Sequence, residues 1–272
     1  MTATGFHHVE LVMGMAVSID VRDDVAGTPG LDDVLLWLHH VDRTFSPYKD
    51  GSPITRLGRG ELTLDELDEE VRDVLLQCED LRVLTDGAFD AFAVPAPNGT
   101  MLDPSGLVKG WSIERAAELL VEAGLGNFTI NAGGDIAVRG RPSTDEGWRI
   151  GIRHPEIDTA FATVLEVDGS VGVATSATYE RGAHIIDPIS GQPTTELASV
   201  TVVGPDLGLA DAYATAVFVM GVEGLEWLMA REGYDGFVIT HDDATFATPG
   251  FARHLAPTVV GAIDPAPGSA TA

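Results

Sequence analysis

Val17, Ile19 and Val21 alternate with Ser18, Asp20 and Arg22, the two-residue period of a strand with one buried face, and a strand is read within Leu11–Arg22. The period then lengthens. Val34, Leu35, Leu38 and Val41 form the apolar stripe of a helix over Asp32–Thr44. Phe45–Leu57 is rich in turn formers and reads as a loop opening into a short helix. Thr63 as N-cap with Glu66 closing a capping box predicts a helix that runs through Leu84, with Val71, Val74, Leu75, Cys78 and Leu81 inward. Ile113, Ala116, Ala117, Leu119 and Leu120 predict a further helix over Trp111–Ala123, stopped by Gly124. The segments between these helices, Thr85–Asp90 and Asp103–Gly110, read as loops.

A short strand at Phe128–Ile130 leads into the glycine turn Asn131–Asp135. Ile136–Arg139, Trp148–Ile152 and Thr163–Val167 then read as successive antiparallel strands. Ala198–Val203 is a strand, Ala210–Gly221 and Val222–Arg231 are helices, and strands follow near Gly236–Thr240 and Thr245–Ala247. Short strands interleaved with helices predict one α+β domain over residues 1–255. Residues 256–272, rich in Pro, Gly, Ala and Ser, read as a flexible C-terminal tail.

Composition narrows the function classes. The 272 residues carry 16 basic and 42 acidic side chains, a net charge of −26. Such a field opposes binding to nucleic acid backbones and anionic membranes. A phosphate-bearing ligand would need a cation or local donors to settle against it. Cys78 is the single cysteine, so no intrachain disulfide and no thiolate metal cluster can form. No apolar run reaches the roughly 18 residues of a membrane span. The start MTATGFHHVELVMG lacks a basic-then-apolar leader, and a cytoplasmic location is the expectation.

Five polar or glycine-bearing loops stand out: Met13–Met15, Gly87–Asp90, Asp103–Lys109, Asn131–Asp135 and His184–Asp187. Each has two readings. NAGGD is a tight hairpin or a backbone cradle for phosphate. Lys109 is a surface lysine or a phosphate ligand. His184 is structural or a general base near neutral pH, oriented by a carboxylate such as Asp187. On the Ala210–Gly221 helix, Asp211 and Thr215 lie one turn apart on one face. They form a helix cap with a back-bonding hydroxyl, or two oxygen ligands for a hard cation such as Mg²⁺.

The order of these segments adds information that none carries alone. The succession MG…FSPY…TDGAFD…D-x-x-G-x-x-KG…NAGGD…TS…YER…HIIDP-x-x-G-x-P…SVTVV…ADAYAT, from about Met13 to Gly221, resembles the FAD:protein FMN transferase (ApbE-type) family. The resemblance implies a T-fold-like α+β architecture and a Mg²⁺-dependent reaction, with Mn²⁺ as an alternative metal. That reaction moves the FMN moiety of FAD onto a threonine or serine hydroxyl of an acceptor flavoprotein and releases AMP. It implies Asp211, Thr215 and the Gly106 carbonyl as metal ligands, and Asp103 and Lys109 as nucleotide-binding positions. Met13, Tyr48, Ala88, Phe89, Asp90 and Ile186 would line the FAD pocket, and His184 would serve catalysis. Two alternatives remain on the same scaffold: an FAD pyrophosphatase, with water replacing the acceptor, and an FAD-binding protein without catalysis. The chain departs from the usual family pattern at Ser176-Ala177, where Ser-Gly is common, and at Ala91-Phe92, where Pro-Thr often follows GAFD.

Overall fold

Met13 and Gly14 both take positive φ angles, 54° and 75°. They fold the first segment back as a two-residue hairpin, the turn whose twist suits paired strands. β1 (His7–Val12) therefore pairs antiparallel with β2 (Met15–Val21), and the strand expected within 11–22 is one arm of this hairpin. The structure, a computed structural model, describes residues 5–93, 95–157, 159–178 and 186–257.

The remaining strands are β3 (Phe128–Ala132), β4 (Asp135–Arg139), β5 (Trp148–Arg153), β6 (Phe161–Val167), β7 (Val171–Ala177), β8 (Leu197–Gly204), β9 (Asp235–Thr240) and β10 (Thr245–Ala247). Eight of the ten strands form one antiparallel sheet in the order β1-β2-β3-β4-β7-β8-β9-β10. The sequence reading placed 148–152 and 163–167 after 136–139 as successive strands. Instead β4 pairs with β7, and β5–β6 is a separate hairpin. The alternation in Trp148, Ile150 and Ile152 explains why: these side chains pack with Leu165 and Val167 against Val138, Val173, Val203 and Phe251. The hairpin thus covers one face of the sheet rather than extending it.

Helices cover the other face: α1 (Leu31–Thr44), α2 (Pro53–Gly58), α3 (Glu69–Leu84), α4 (Ser105–Glu122), α5 (Leu207–Met220) and α6 (Gly224–Met229). The main core lies here, where Ile19, Ile130 and Val200 of the sheet meet Leu38, Ile113, Leu120 and Phe218. β8 is buried at every residue because it is covered on both sides. Among the described residues no helix is long and apolar enough to cross a membrane. The architecture is the expected mixed α+β one.

Four helices differ in their bounds from the sequence reading. The Thr63–Glu66 capping box is present, with the Thr63 N–H donating to Glu66 Oε2 at 2.9 Å, but it opens only the single turn Leu64–Glu66. Leu67 is extended and buried, which interrupts the chain before α3 begins. The segment 103–110, read as a loop, is instead the start of α4. Asp103 Oδ1 accepts the Ser105 N–H at 2.9 Å, so Gly106 and Gly110 lie inside the helix. α5 starts at Leu207 and is capped by Asp206, whose side chain accepts the Leu209 N–H at 2.7 Å. Asp211 therefore sits within the helix, and its reading as a cap is overturned. α6 is also shorter than 222–231, because Gly221 (φ 75°, ψ −160°) ends α5 and the chain reorganises before Gly224.

Gly110 is where α4 crosses α5. A Cβ there would stand 2.5 Å from the Leu207 carbonyl oxygen and 2.8 Å from Asp211 Cβ. Helix backbone and a buried Cβ cannot yield as the far end of a flexible side chain would. Gly110→Val should therefore cost about 3 kcal/mol, the upper end of the overpacking range. A melting temperature lowered by roughly 6–12 °C is expected at this chain size, and an unshifted melting curve would show that the helix crossing relaxes freely.

Candidate active site

The α4–α5 crossing places Lys109 and Asp211 beside the start of β4. Asp211 is buried, and its Oδ2 accepts the Gly110 N–H at 3.0 Å. Asp135 is fully buried, and its Oδ1 accepts the Thr175 N–H of β7 at 3.1 Å. The Lys109 ammonium stands 2.7 Å from Asp135 Oδ2 and 3.7 Å from Asp211 Oδ1. Burial, and then the neighbouring Asp135 carboxylate, push the Asp211 carboxyl well above the usual carboxylate range, against the opposing pull of Lys109 and the Gly110 N–H. One ammonium thus faces two carboxylates in a dry place, an arrangement short of positive charge.

Thr215 lies one turn further along α5. A Cβ on Gly106 would be 3.6 Å from Thr215 Oγ1, so the first turn of α4 and the Thr215 hydroxyl are immediate neighbours. Carboxylate, hydroxyl and carbonyl are the hard oxygen donors that Mg²⁺ or Mn²⁺ take, usually with several positions left to water or phosphate. Among the described residues no group of three or more His, Cys, Asp or Glu gathers as a metal cluster. The set here suits an ion that relies partly on its substrate for ligands.

These residues open onto a cavity of about 650 Å³, within the size range of small-molecule sites. Met13, Tyr48, Ala88, Phe89, Asp90, Asp103, Gly106, Lys109, Ile186, Asp211 and Thr215 all line it. The TDGAFD turn is pinned from within: Thr85 Oγ1 donates to the Leu81 carbonyl at 2.8 Å and accepts the Phe89 N–H at 3.0 Å. Asp86 (φ 51°) and Gly87 (φ 85°) then bring Phe89 round to lie beside Gly106. Asp90 Oδ1 accepts the Phe92 N–H at 2.7 Å, which fixes that carboxylate at the cavity edge. Nearby Cys78 is buried, and burial, followed by the Asp103 and Asp90 charges, pushes its thiol up to about 12. It is an inert core residue.

Two predicted site residues are not among the cavity's described walls. His184 lies outside the described residues. Asp187 is not a wall of the cavity, although Ile186 and Pro188 on either side are. Its carboxylate bonds with Ser190 and accepts the Ile189 N–H at 2.9 Å, and these bonds hold it below the usual carboxylate range. At Ser176-Ala177 the serine lines the cavity, whereas the Ala177 methyl is fully buried in the core. The sequence reading singled out NAGGD but missed its last residue, Asp135, as a partner of Lys109. The available signal was a carboxylate opening the apolar run Ile136-Ala137-Val138.

The ApbE family model matches residues 13–98 and 91–238. The FAD:protein FMN transferase of Escherichia coli (strain K12) is 31% identical over 157 residues, covering 54% of this chain and 44% of that protein. The FAD:protein FMN transferase of Rhodobacter capsulatus is 32% identical over 179 residues, covering 61% and 33% respectively. These matches span less than half the length of either relative. In fold, the flavin transferase ApbE from Vibrio cholerae superposes with a TM-score of 0.81 at 23% identity, covering 93% of this chain and all of that one. The ApbE protein from Thermotoga maritima gives 0.78 at 21% identity, with 93% of this chain covered. With the family model matched over most of its length, this chain belongs to the ApbE family.

Proposed function

We propose that this chain transfers the FMN moiety of FAD to a threonine or serine hydroxyl of an acceptor protein and releases AMP, with Mg²⁺ (or Mn²⁺) assisting. The observation that carries the reading is the convergence of Asp211, Thr215, Gly106 and Lys109, the last held by Asp135 behind it, on one cavity with aromatic and apolar walls. The relatives named FAD:protein FMN transferase give the reaction class.

The residues present fit a divalent ion, because two carboxyl groups share one ammonium and a bound cation would favour the ionised form of Asp211 that burial and Asp135 oppose. Asp211, Thr215 and the Gly106 carbonyl would hold it. When bound, the ion would neutralise charge on the pyrophosphate and on the departing phosphate. The protein's own share is positioning and electrostatics, as in phosphoryl transfer generally. Phe89, Tyr48, Met13 and Ile186 supply surface for the flavin ring, and Lys109 supplies an ammonium for a phosphate oxygen. The acceptor oxygen attacks the flavin-side phosphorus, the bond from that phosphorus to the AMP oxygen breaks, and AMP leaves with the electron pair. The hydroxyl proton passes to a base, a role for which the imidazole of His184 is chemically suited. Asp187, held ionised by its own turn, is a poorer proton acceptor.

The test incubates the chain with FAD, Mg²⁺ and candidate acceptor proteins, followed by intact-mass measurement of the acceptor and quantification of AMP. A covalent FMN increment matched by AMP supports the proposal. FMN and AMP appearing without acceptor modification would mean pyrophosphatase activity, and intact FAD throughout would mean binding alone.

A further inference from the structure

Beside the FAD cavity lies a second one, of about 520 Å³, with which it shares the wall residues Gly14, Met15, Lys109 and Thr175. Its other walls come from the β3–β4 turn and from Ile150, Gly151, Ile152 and Arg153 on β5. Among the described residues β5 pairs with β6 alone. The far edge of β6 is already taken, since Leu165 bridges Leu255 and the Ala256 N–H donates to the Val164 carbonyl at 2.9 Å. Among the described residues, the edge left open in this hairpin is that of β5, and Ile150–Arg153 of the same strand line the second cavity. An open strand edge offers a ladder of N–H and C=O groups to any extended chain laid beside it.

We propose that the second cavity receives the acceptor protein, an extended segment of which lies along β5 and passes its hydroxyl beyond Thr175 and Lys109 into the first cavity. The inference rests on the transferase reading above and names where its second substrate enters. Two observations favour a peptide over the remainder of FAD, and a third sets the charge of segment the cavity accepts. The first cavity already offers Tyr48, Phe89 and Met13 as surface for a ring system, whereas no aromatic side chain among the described residues lines the second. Gly133 and Gly134 of the β3–β4 turn put backbone without side chains in the second cavity's walls, which leaves room for an extended segment to approach closely. Among the described residues its walls hold Lys109 and Arg153 but no Asp or Glu, although the chain carries 42 acidic residues, so a neutral or acidic segment meets no repulsion there.

The test uses an acceptor protein that the unaltered chain modifies, and reads transfer rate against acceptor concentration together with FAD affinity. Residue 153 is exposed, and a melting curve matching that of the unaltered chain verifies that Arg153→Glu keeps the fold. It is expected to raise the acceptor concentration for half-maximal rate about tenfold, the effect of losing one charge-assisted contact, while FAD affinity stays within about twofold. In a second measurement, a photoreactive residue at position 153 should cross-link to the acceptor, and excess unlabelled acceptor should suppress the adduct. Weakened FAD binding with unchanged acceptor dependence would place part of FAD in this cavity and overturn the inference. Unchanged acceptor dependence without a cross-link would put the docking surface elsewhere. Failure of the unaltered chain to modify any acceptor would be seen before either variant is made, and would overturn the transferase reading itself.

Discussion

Asp211→Asn should lower Mg²⁺-dependent AMP release from FAD by a factor of about 10² to 10³, while the melting temperature holds or rises. On the proposed reaction, the loss follows from the share a metal would have in phosphoryl transfer, several kcal/mol of charge stabilisation at about 1.4 kcal/mol per tenfold in rate. A neutral amide is a poor ligand for a hard divalent ion, so added Mg²⁺ should restore little. The stability half follows from the buried geometry. Asp211 is held well above its usual carboxylate range by burial and by Asp135, so the folded chain pays for keeping it charged. An asparagine removes that penalty and can still accept the Gly110 N–H that now bonds Oδ2 at 3.0 Å. Activity and stability should therefore move in opposite directions, as expected where a site is built against the preference of the fold. Thermal melting without metal and AMP release over a Mg²⁺ series measure the two halves. Undiminished activity at limiting Mg²⁺ would remove Asp211 from the metal's ligands.

How much of this was legible beforehand depended on the range of the interaction involved. Periodicity located the amphipathic helices, because each stripe such as Val34, Leu38 and Val41 is a local property of its own segment. It failed for 103–110, where two glycines and a proline resemble a loop. What makes Gly110 helical is Leu207 and Asp211, about a hundred residues away, whose backbone and Cβ leave no space for a side chain. Strand pairing failed for the same reason: nothing in 148–152 announces that it packs across the sheet, since Val173, Val203 and Phe251 decide that. The Asp211 cap reading failed by one helical turn, because Asp206 is an equally good cap and lies closer to the true start.

The candidate site shows the same division. Motif order pointed to Lys109, Asp211 and Thr215 together, and these do line one cavity. The Lys109–Asp135 ion pair was not legible, because it joins a helix to a strand that only the folded sheet brings near. Nor could the sequence say that Ala177, one residue from the cavity wall, turns its methyl into the core. Successive residues of a strand point to opposite faces, so a one-residue difference in register decides whether a substitution touches ligand or core.

Asp135→Asn should behave differently from Asp211→Asn, and the contrast tests the division of roles between the two carboxylates. The asparagine amide at position 135 keeps an oxygen for the Thr175 N–H, now bonded at 3.1 Å, so the start of β4 should stay in place. Lys109 loses its partner at 2.7 Å and has a remaining carboxylate, Asp211, only 3.7 Å away. Its ammonium can then close on Asp211 and compete with the metal for that oxygen. The Mg²⁺ concentration for half-maximal AMP release should rise about 10- to 100-fold, the usual effect of losing a group that orients a metal's ligands. The maximal rate at saturating Mg²⁺ should recover to within a few-fold, because Asp211, Thr215 and Gly106 all remain. Replacing Lys109 as well, in Asp135→Asn with Lys109→Met, should bring the Mg²⁺ requirement back down, since no ammonium is left to occupy Asp211. A maximal rate that stays low at any Mg²⁺ concentration would instead make Asp135 a participant in the reaction itself, and a double variant no better than the single one would rule out competition by Lys109 as the cause.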